Sequence, residues 1–235
     1  LAAGIGYQGV VLAADSSYVA ADTEDGMRSR PYDQRVESAL RAVELNPYNY
    51  KYRIGVGSMY LEELRGVVSA VVAARESGQD TAQYTESLRS SFTDAESAFK
   101  EAIAFAPDLY VNYANLASVY VLAGSALDEE LYQRVFAVAE RALQAKPLGI
   151  DIRVQLARAL LGVGRTDEAI ETLERCMEIT PGGVSPALLL ADVYQEQGRP
   201  ADALALLKSV AALRSDQSIS AAIRRLEAEW EDSHD

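Results

Sequence analysis

The sequence has almost none of the side chains that build metal sites and nucleophilic centres. Among its 235 residues there is one cysteine, Cys176, and one histidine, His234, which lies beside the C-terminus. One cysteine cannot form an intrachain disulfide, and one cysteine with one tail histidine cannot supply the ligands of a zinc cage. A Ser-His-Asp triad inside the fold is excluded as well. We therefore predict no catalytic residue, no metal site and no cofactor in this chain.

Positive charge is also scarce. The chain carries 22 lysines and arginines against 35 aspartates and glutamates, so that its formal net charge is −13. Nucleic-acid binding depends on basic side chains that displace counterions from phosphates. The charge therefore argues against a nucleic-acid partner, and equally against docking on anionic lipid head groups.

Long apolar runs are missing too. The first apolar run, "LAAGIGYQGVVLAA", is about 14 residues long before Asp15, whereas a membrane-spanning helix needs about 20. Two interpretations stay open: an ordinary packed first helix, or the end of a membrane helix or signal sequence. The "GIGYQG" within this run is not a phosphate loop, because no strand precedes it and no lysine follows it.

What the sequence does contain is a recurring helical pattern. Four short apolar stretches end in a large residue: "YRIGVGSMY" at Tyr60, "YANLASVY" at Tyr120, "VQLARALL" at Leu160 and "LLLADVY" at Tyr194. The last two are 34 residues apart. A small residue stands three positions before each of these large ones: Gly57, Ala117, Ala157 and Ala191. Small residues at one register let two helices approach closely, so we predict helical hairpins.

A second pattern follows the first along the chain. "DAESAFKEAIAFAP" and "DEAIETLERCMEITP" each have an alanine, a large apolar residue four positions later, a small residue three after that and a proline five later. "RVESALRAVELNP" and "RVFAVAERALQAKP" are weaker versions. Cys176 occupies the small position, which favours a buried core thiol over a nucleophile.

These two patterns resemble the tetratricopeptide repeat. The best unit is Ile150 to Gly183, the next begins at Val184, and the resemblance extends from about Tyr32 to Leu213. It implies an all-α fold, a right-handed superhelical solenoid of helical hairpins. The residues agree with it, because Gly164 and Gly198 suit left-handed helix caps and unpaired hairpins must stack to bury their apolar faces.

The repeat spacing is not uniform. From Tyr60 to Tyr120 there are 60 residues, 26 more than the period of 34. The apolar period continues through the extra residues, so we predict lengthened helices joined by a turn at Ser77–Asp80. The predicted organisation is a single domain, 1–235: a first helix and loop at 1–31, repeats at 32–213 with an insertion around 61–91, and a cap helix with an acidic tail at 214–235.

The stretch "LNPYNYKYRIGVGSMY" holds four tyrosines. Tyr50 and Tyr60 align with Tyr110 and Tyr120, so we interpret them as structural residues of the repeat. Tyr48 and Tyr52 have no tyrosine counterparts in later units. We therefore predict that these two are the more exposed, although a tyrosine at a turn is often half-buried.

In the tetratricopeptide arrangement, first helices line a concave groove that holds a protein or peptide partner. Hairpin geometry predicts the groove-facing residues, which are mixed in charge. They are Lys51, Ser58, Glu62, Asn115, Ser118, Gln155, Arg158, Asp192 and Gln195. The paired Lys/Asn pattern that clamps a C-terminal carboxylate in some such domains is absent, so that ligand is not expected.

A second resemblance concerns the N-terminal part. Asp15, Tyr18 and the run Ala42 to Arg53 look like the start of the extracytoplasmic C-terminal tetratricopeptide domain of bacterial O-antigen ligase and polymerase-like membrane proteins. That resemblance implies a non-catalytic accessory domain in envelope polysaccharide assembly. Its parent would be a glycan ligase or polymerase, anchored upstream of Leu1, with glycan or envelope-assembly proteins as further partners. The alternative is a freestanding scaffold, extracytoplasmic or cytoplasmic, that binds a peptide or partner protein in its groove.

Overall fold

The described residues, 13–15, 17 and 31–232 of a computed structural model, form helices joined by short connections and contain no strand. The ten long helices are α1 (Tyr32–Leu45), α2 (Tyr50–Glu76), α3 (Thr85–Phe105), α4 (Tyr110–Ala126), α5 (Leu131–Ala145), α6 (Ile150–Gly162), α7 (Thr166–Ile179), α8 (Val184–Glu196), α9 (Pro200–Leu213) and α10 (Gln217–Asp232). A short 3-10 turn, Ala82–Tyr84, precedes α3. The predicted all-α fold is confirmed.

The chain divides into two compact units, residues 1–128 and 129–235, which we call the N-unit and the C-unit. In the N-unit, α2 packs against α1, α3 and α4. In the C-unit, each of the helices α5 to α9 packs against the next one along the chain, and α8 also contacts α6 and α10. This is the contact pattern of stacked hairpins. The expectation of one domain over 1–235 stays a prediction.

Four helices end in the same proline turn. The residues Asn46, Ala106, Lys146 and Thr180 follow α1, α3, α5 and α7, and each has φ between −137 and −140° and ψ between 77 and 86°. A proline comes next in every case. The residue before proline is kept out of the helical region by its clash with the proline ring, so the helix stops there and the chain turns into the next first helix.

Glycine ends the first helices of the C-unit. Gly164 and Gly198 have φ of 76° and 71°, in the left-handed region that costs other residues energy. The next backbone N–H turns back to the helix, from Arg165 to the Leu160 carbonyl and from Arg199 to the Tyr194 carbonyl, both at 2.8 Å. These are the predicted left-handed caps.

The insertion is helical, as predicted. α2 has 27 residues and α3 has 21, and Gly78, with φ of 66°, lies in the turn between them. Arg75 donates from its guanidinium to the carbonyls of Ser125 and Ala126, at 3.0 Å each, and so caps the end of α4. The extra turns of α2 therefore add contacts within the N-unit.

The last helix, α10, closes the C-unit. Ile219 and Leu226 are buried in the cluster formed by α6 to α9. We number the residues of each first helix from its first residue. Position eight is then a small buried residue in α6 and α8, Ala157 and Ala191, but the exposed Arg224 in α10. Position eight packs toward the second helix of the same hairpin, and the described chain has no such helix after α10. The predicted cap helix is confirmed.

The predicted first helix and loop, 1–31, lie mostly outside the described residues. Residues 13–15 are helical. Ala14 is buried with Ala42 and Tyr52, and the Tyr52 hydroxyl donates to the Asp15 carboxylate. This short segment therefore packs onto the N-unit at the point where α1 and α2 meet.

Candidate partner-binding surface

The nine predicted groove residues lie on first helices, α2, α4, α6 and α8, and all of them are exposed or half-buried. Exposure is easiest to explain at position nine, because this position follows the small buried residue on every one of these helices. It is occupied by Ser58, Ser118, Arg158 and Asp192. A helix turns by about 100° per residue, so the buried residue at position eight orients its neighbour toward solvent in the same way each time.

In the N-unit, the surface combines residues of α2 and α4, which pack against each other. Lys51, Ser58 and Glu62 are exposed on α2, and Asn115 and Ser118 are half-buried on α4. Ser118 donates to the carbonyl of Ala114 at 3.1 Å, within its own helix. Glu62 forms an exposed pair with Arg65 at 3.5 Å. This part of the surface therefore combines two exposed charged side chains with small hydroxyl and amide groups.

In the C-unit, the structure brings Asp192 and Gln195 together around Arg225 of α10. The Arg225 guanidinium donates to Asp192 at 3.1 Å and to the Gln195 side-chain oxygen at 3.2 Å. Gln195 in turn donates to Glu229 at 2.9 Å. These charges compensate one another. Arg158, one hairpin earlier, forms no ion pair or hydrogen bond with the described residues.

A cleft of about 370 Å³ lies between α8 and α10 of the C-unit. Its floor is apolar, with Leu188, Leu207 and Leu226, and Asp192 and Arg225 stand at its rim. A cavity of this size is within the range that ligand side chains or small molecules occupy. The arrangement suits an apolar side chain held beneath a polar rim.

Sequence reasoning missed Arg225. It is position nine of α10, the same register as Arg158 and Asp192, but α10 was predicted only as a solvating cap. The signal was present in "QSISAAIRRLEAEW", where Ile219 and Leu226 stand seven residues apart, as Ile152 and Ala159 do in α6. Carrying the repeat register past Leu213 would have placed Arg225 beside Asp192.

The tyrosine prediction was half right. Tyr48 is 81% exposed, as expected, but Tyr52 is 2% exposed, so its predicted exposure was wrong. Tyr52 is position three of α2, and its counterparts Asn112, Ile152 and Pro186 are buried too. Position three faces the preceding hairpin, so the tyrosine ring fills space that other hairpins fill with different side chains. The run of tyrosines is not an exposed stacking platform.

The tyrosines at position eleven of α4 and α8 form equivalent hydrogen bonds. Tyr120 donates to Glu96 at 2.9 Å and Tyr194 donates to Glu174 at 3.0 Å, in each case a glutamate on the preceding second helix. Burial, followed by the bond to Glu174, raises the pKa of Tyr194. The Tyr194 phenol therefore stays neutral, and both tyrosines join successive hairpins, which agrees with a structural role.

Cys176 is fully buried, as predicted. Burial raises the pKa of its thiol to about 11, although the nearby Arg153 charge acts in the opposite direction. A buried neutral thiol is a poor nucleophile. Within 13–15, 17 and 31–232, no three His, Cys, Asp or Glu side chains come together in a way that could hold a metal ion.

Comparison with known proteins agrees with the repeat. A family model described as tetratricopeptide repeat matches residues 126–182 and 161–228. TTC0263, a thermophilic tetratricopeptide protein of Thermus thermophilus, has a TM-score of 0.67 at 16% identity, covering 92% of this chain and 100% of that chain. Yeast Tom70 has a TM-score of 0.60 at 16% identity over 94% of this chain and 41% of its own.

A third similar structure is YrrB, with a TM-score of 0.50 at 15% identity, covering 89% of this chain and 90% of that chain. At these identities the likeness shows the fold, and the predicted tetratricopeptide solenoid is confirmed. No curated protein matches the sequence. Nothing in the comparisons supports the O-antigen ligase resemblance. Among the described helices, none combines the length and the apolar character that crossing a bilayer requires.

Proposed function

We propose that this chain, which contains a tetratricopeptide-repeat domain, is a protein-interaction scaffold that binds a peptide or partner protein along its first helices. The observation that carries the proposal is the row at position nine, Ser58, Ser118, Arg158 and Asp192. Each of these residues is accessible beside a small buried neighbour. Within the C-unit, Arg158 and Asp192 lie on first helices that contact each other, so a partner that contacts Arg158 would meet Asp192 on the next hairpin.

The charges of this surface favour a partner that carries both positive and negative side chains. Asp192 and Arg225 already compensate each other at 3.1 Å, while Arg158 is left without a partner among the described residues. YrrB is described as a tetratricopeptide protein with an unusual peptide-binding site, so peptide binding is an established use of a similar fold. Interfaces gain most of their affinity from a few anchors, and Arg158 with the apolar floor under Asp192 are the best placed here.

The test is site-specific photo-crosslinking in the cell that expresses the protein. A photoreactive residue at Arg158 or Asp192, both in the C-unit, should capture the same partner, whereas one at Ser209, exposed on second helix α9, should capture none. Equal capture from Ser209 would reject the surface. The partner's affinity should then fall at least about tenfold in an Asn115→Ala, Arg158→Glu double variant.

We keep the envelope hypothesis as a separate proposal that rests on the N-terminal motif alone. The structure offers a packing explanation for parts of this motif, because Ala42 and Tyr52 are buried together with Ala14. The hypothesis requires a membrane-bound parent whose C-terminal domain faces outward. A topology reporter fused after Asp235 in the full-length gene tests it, and a cytoplasmic signal or a gene without membrane spans would reject it.

A further inference from the structure

A second cleft lies on another side of the C-unit, between the second helices α5 and α7 and over α6. Its volume is about 390 Å³. Phe136, Leu143 and Leu156 contribute apolar surface, and Arg153, Arg165 and Arg175 converge on it. None of these residues belongs to the position-nine row, so the cleft is separate from the surface proposed above.

The N-unit contains the equivalent of this cleft, between α1 and α3 and over α2, but there it is nearly closed, at about 40 Å³. Five of its lining residues occupy the same repeat positions as residues of the larger cleft. The pairs are Val43 and Leu143, Arg53 and Arg153, Val56 and Leu156, Ala98 and Thr172, and Glu101 and Arg175. One repeat site is therefore present twice, nearly closed in the N-unit and open in the C-unit.

An aromatic ring marks the difference between the two copies. In the N-unit the Arg53 guanidinium lies over the ring of Phe105, with 4.8 Å between its carbon and the ring centroid. The residue that corresponds to Phe105 in the C-unit is Ile179, which has no ring to offer Arg153. Guanidinium groups bind aromatic faces at this distance through cation–π attraction. The repeat site is thus built to stack an arginine on an aromatic side chain.

Arg153 is available for such a contact. It is half-buried, and its one hydrogen bond to the described residues goes from Nη1 to the Gly149 carbonyl at 3.1 Å. It forms no ion pair with them. An arginine beside apolar surface with only a backbone carbonyl bound keeps most of its donors for a ligand.

The charge of the open copy differs from that of the closed one. Where the N-unit has Glu101, the C-unit has Arg175. Arg165 is held by Glu168 through two hydrogen bonds, from Nε at 2.6 Å and from Nη2 at 2.5 Å, and lies over the ring of Phe136. Arg175 pairs with Glu178 through Nη1 alone, at 2.5 Å, and both side chains are more than half exposed. An exposed pair with a single contact stabilises little, so a carboxylate from a partner can compete with Glu178 for Arg175.

We propose that this cleft binds a partner peptide by inserting an aromatic side chain against Arg153, with an acidic residue next to it paired to Arg175. The aromatic ring takes the place that Phe105 fills in the N-unit. The peptide carboxylate pairs with Arg175, which stands where the N-unit copy has Glu101. The protein then has a second docking surface besides the one along its first helices.

Selection from a random 12-residue peptide library displayed on phage tests this proposal, with the full chain as bait. The library is first depleted on an Ile179→Phe variant, in which the introduced ring should cover Arg153 as Phe105 covers Arg53. This step removes peptides that bind anywhere else. The enriched peptides should carry Phe, Tyr or Trp within two residues of Asp or Glu.

The best peptide is then measured by fluorescence anisotropy. Its affinity should fall at least about tenfold in Arg153→Gln and in Ile179→Phe. In Arg224→Gln, which removes one positive charge from the exposed face of α10 as Arg153→Gln does from the cleft, it should stay within about twofold. Circular dichroism melting curves check that each variant folds. Absence of enrichment, enriched peptides without an aromatic–acidic pair, or equal binding to Ile179→Phe would overturn the proposal.

Discussion

The ring of Phe99 lies so close to Gly57 that a Cβ on residue 57 would stand 2.7 Å from the ring atom Cε1. Gly57 is position eight of α2, and Phe99 lies on the second helix of the same hairpin, four residues after Ala95. In the C-unit the corresponding pairs are Ala157 with Leu173 and Ala191 with Leu207, all buried in one cluster. The larger side chain, Phe99, is thus accommodated by the smaller residue, Gly57, where the C-unit pairs leucine with alanine.

We expect Gly57→Ala to destabilise the protein by about 1–3 kcal/mol, the usual cost of overpacking a core. Alanine is the better helix former by about 1 kcal/mol, but Phe99 is fully buried and cannot move aside freely. Urea denaturation followed by circular dichroism measures the change. A stability equal to or above that of the wild type would show that the contact does not constrain residue 57.

Gly66→Ala is the matched control. Gly66 lies on the same helix, is exposed and has nothing within 4 Å of the added Cβ, so this change should stabilise by up to about 1 kcal/mol. Replacing Phe99 by leucine, as in the C-unit pairs, should recover part of the loss in the Gly57→Ala background. A double-mutant cycle of the two positions measures that coupling.

Two tyrosines four residues apart should differ strongly in how much stability is lost when each is truncated to alanine. Tyr52→Ala removes a ring that is 2% exposed and is expected to cost about 3–5 kcal/mol, as other buried aromatic truncations do. Tyr48→Ala removes a ring that is 81% exposed and should change stability by less than about 0.5 kcal/mol. Thermal melting distinguishes the two, and similar losses in both would contradict the packing described for Tyr52.

The Cys176 thiol should resist modification in the native state. With its pKa raised from 9.0 to about 11 by burial, its reaction with Ellman's reagent at pH 8 should be on the order of a hundredfold slower than in the urea-unfolded chain. Rapid reaction under native conditions would mean that the thiol is accessible.

The same pKa shift predicts the direction of a pH effect on stability. The unfolded chain loses the thiol proton at lower pH than the folded one, so the contribution is present below pH 9 and is lost as pH rises toward 11. The wild type should therefore lose stability relative to Cys176→Ala over this interval. Denaturation curves of both proteins at several pH values measure the difference.

The cap helix should depend on its apolar contacts rather than on its ion pairs. Leu226 is 2% exposed, and Leu226→Ala should cost about 2–5 kcal/mol. The Arg225–Asp192 pair is more than half exposed on both sides, so Arg225→Ala should cost less than about 1 kcal/mol. Urea denaturation compares the two, and hydrogen exchange in α10 shows whether the loss is local. The reverse order would indicate that the polar network holds the helix.

Local features of the sequence were sufficient for most of the fold. Proline after α1, α3, α5 and α7, glycine after α6 and α8, and small residues at position eight each act within a few residues of chain, so they can be recognised without a partner helix. The turn at Ser77–Asp80 and the burial of Cys176 followed from the same periodicity. The position-nine row was also predictable, because it is the neighbour of a residue that has to be buried.

Other features depend on helices that are distant in sequence. Tyr52 is buried because Ala14 and Ala42 pack around it, and Arg225 reaches Asp192 because α10 folds back beside α8. The two copies of the cleft between second helices have matching residues, yet only packing decides that the copy in which Arg53 lies over Phe105 measures about 40 Å³ while the copy with Ile179 measures about 390 Å³. The sequence by itself determined which helices form and where they end, because caps and turns are short-range; the tertiary structure decided which side chains are covered, because burial depends on neighbours from several hairpins.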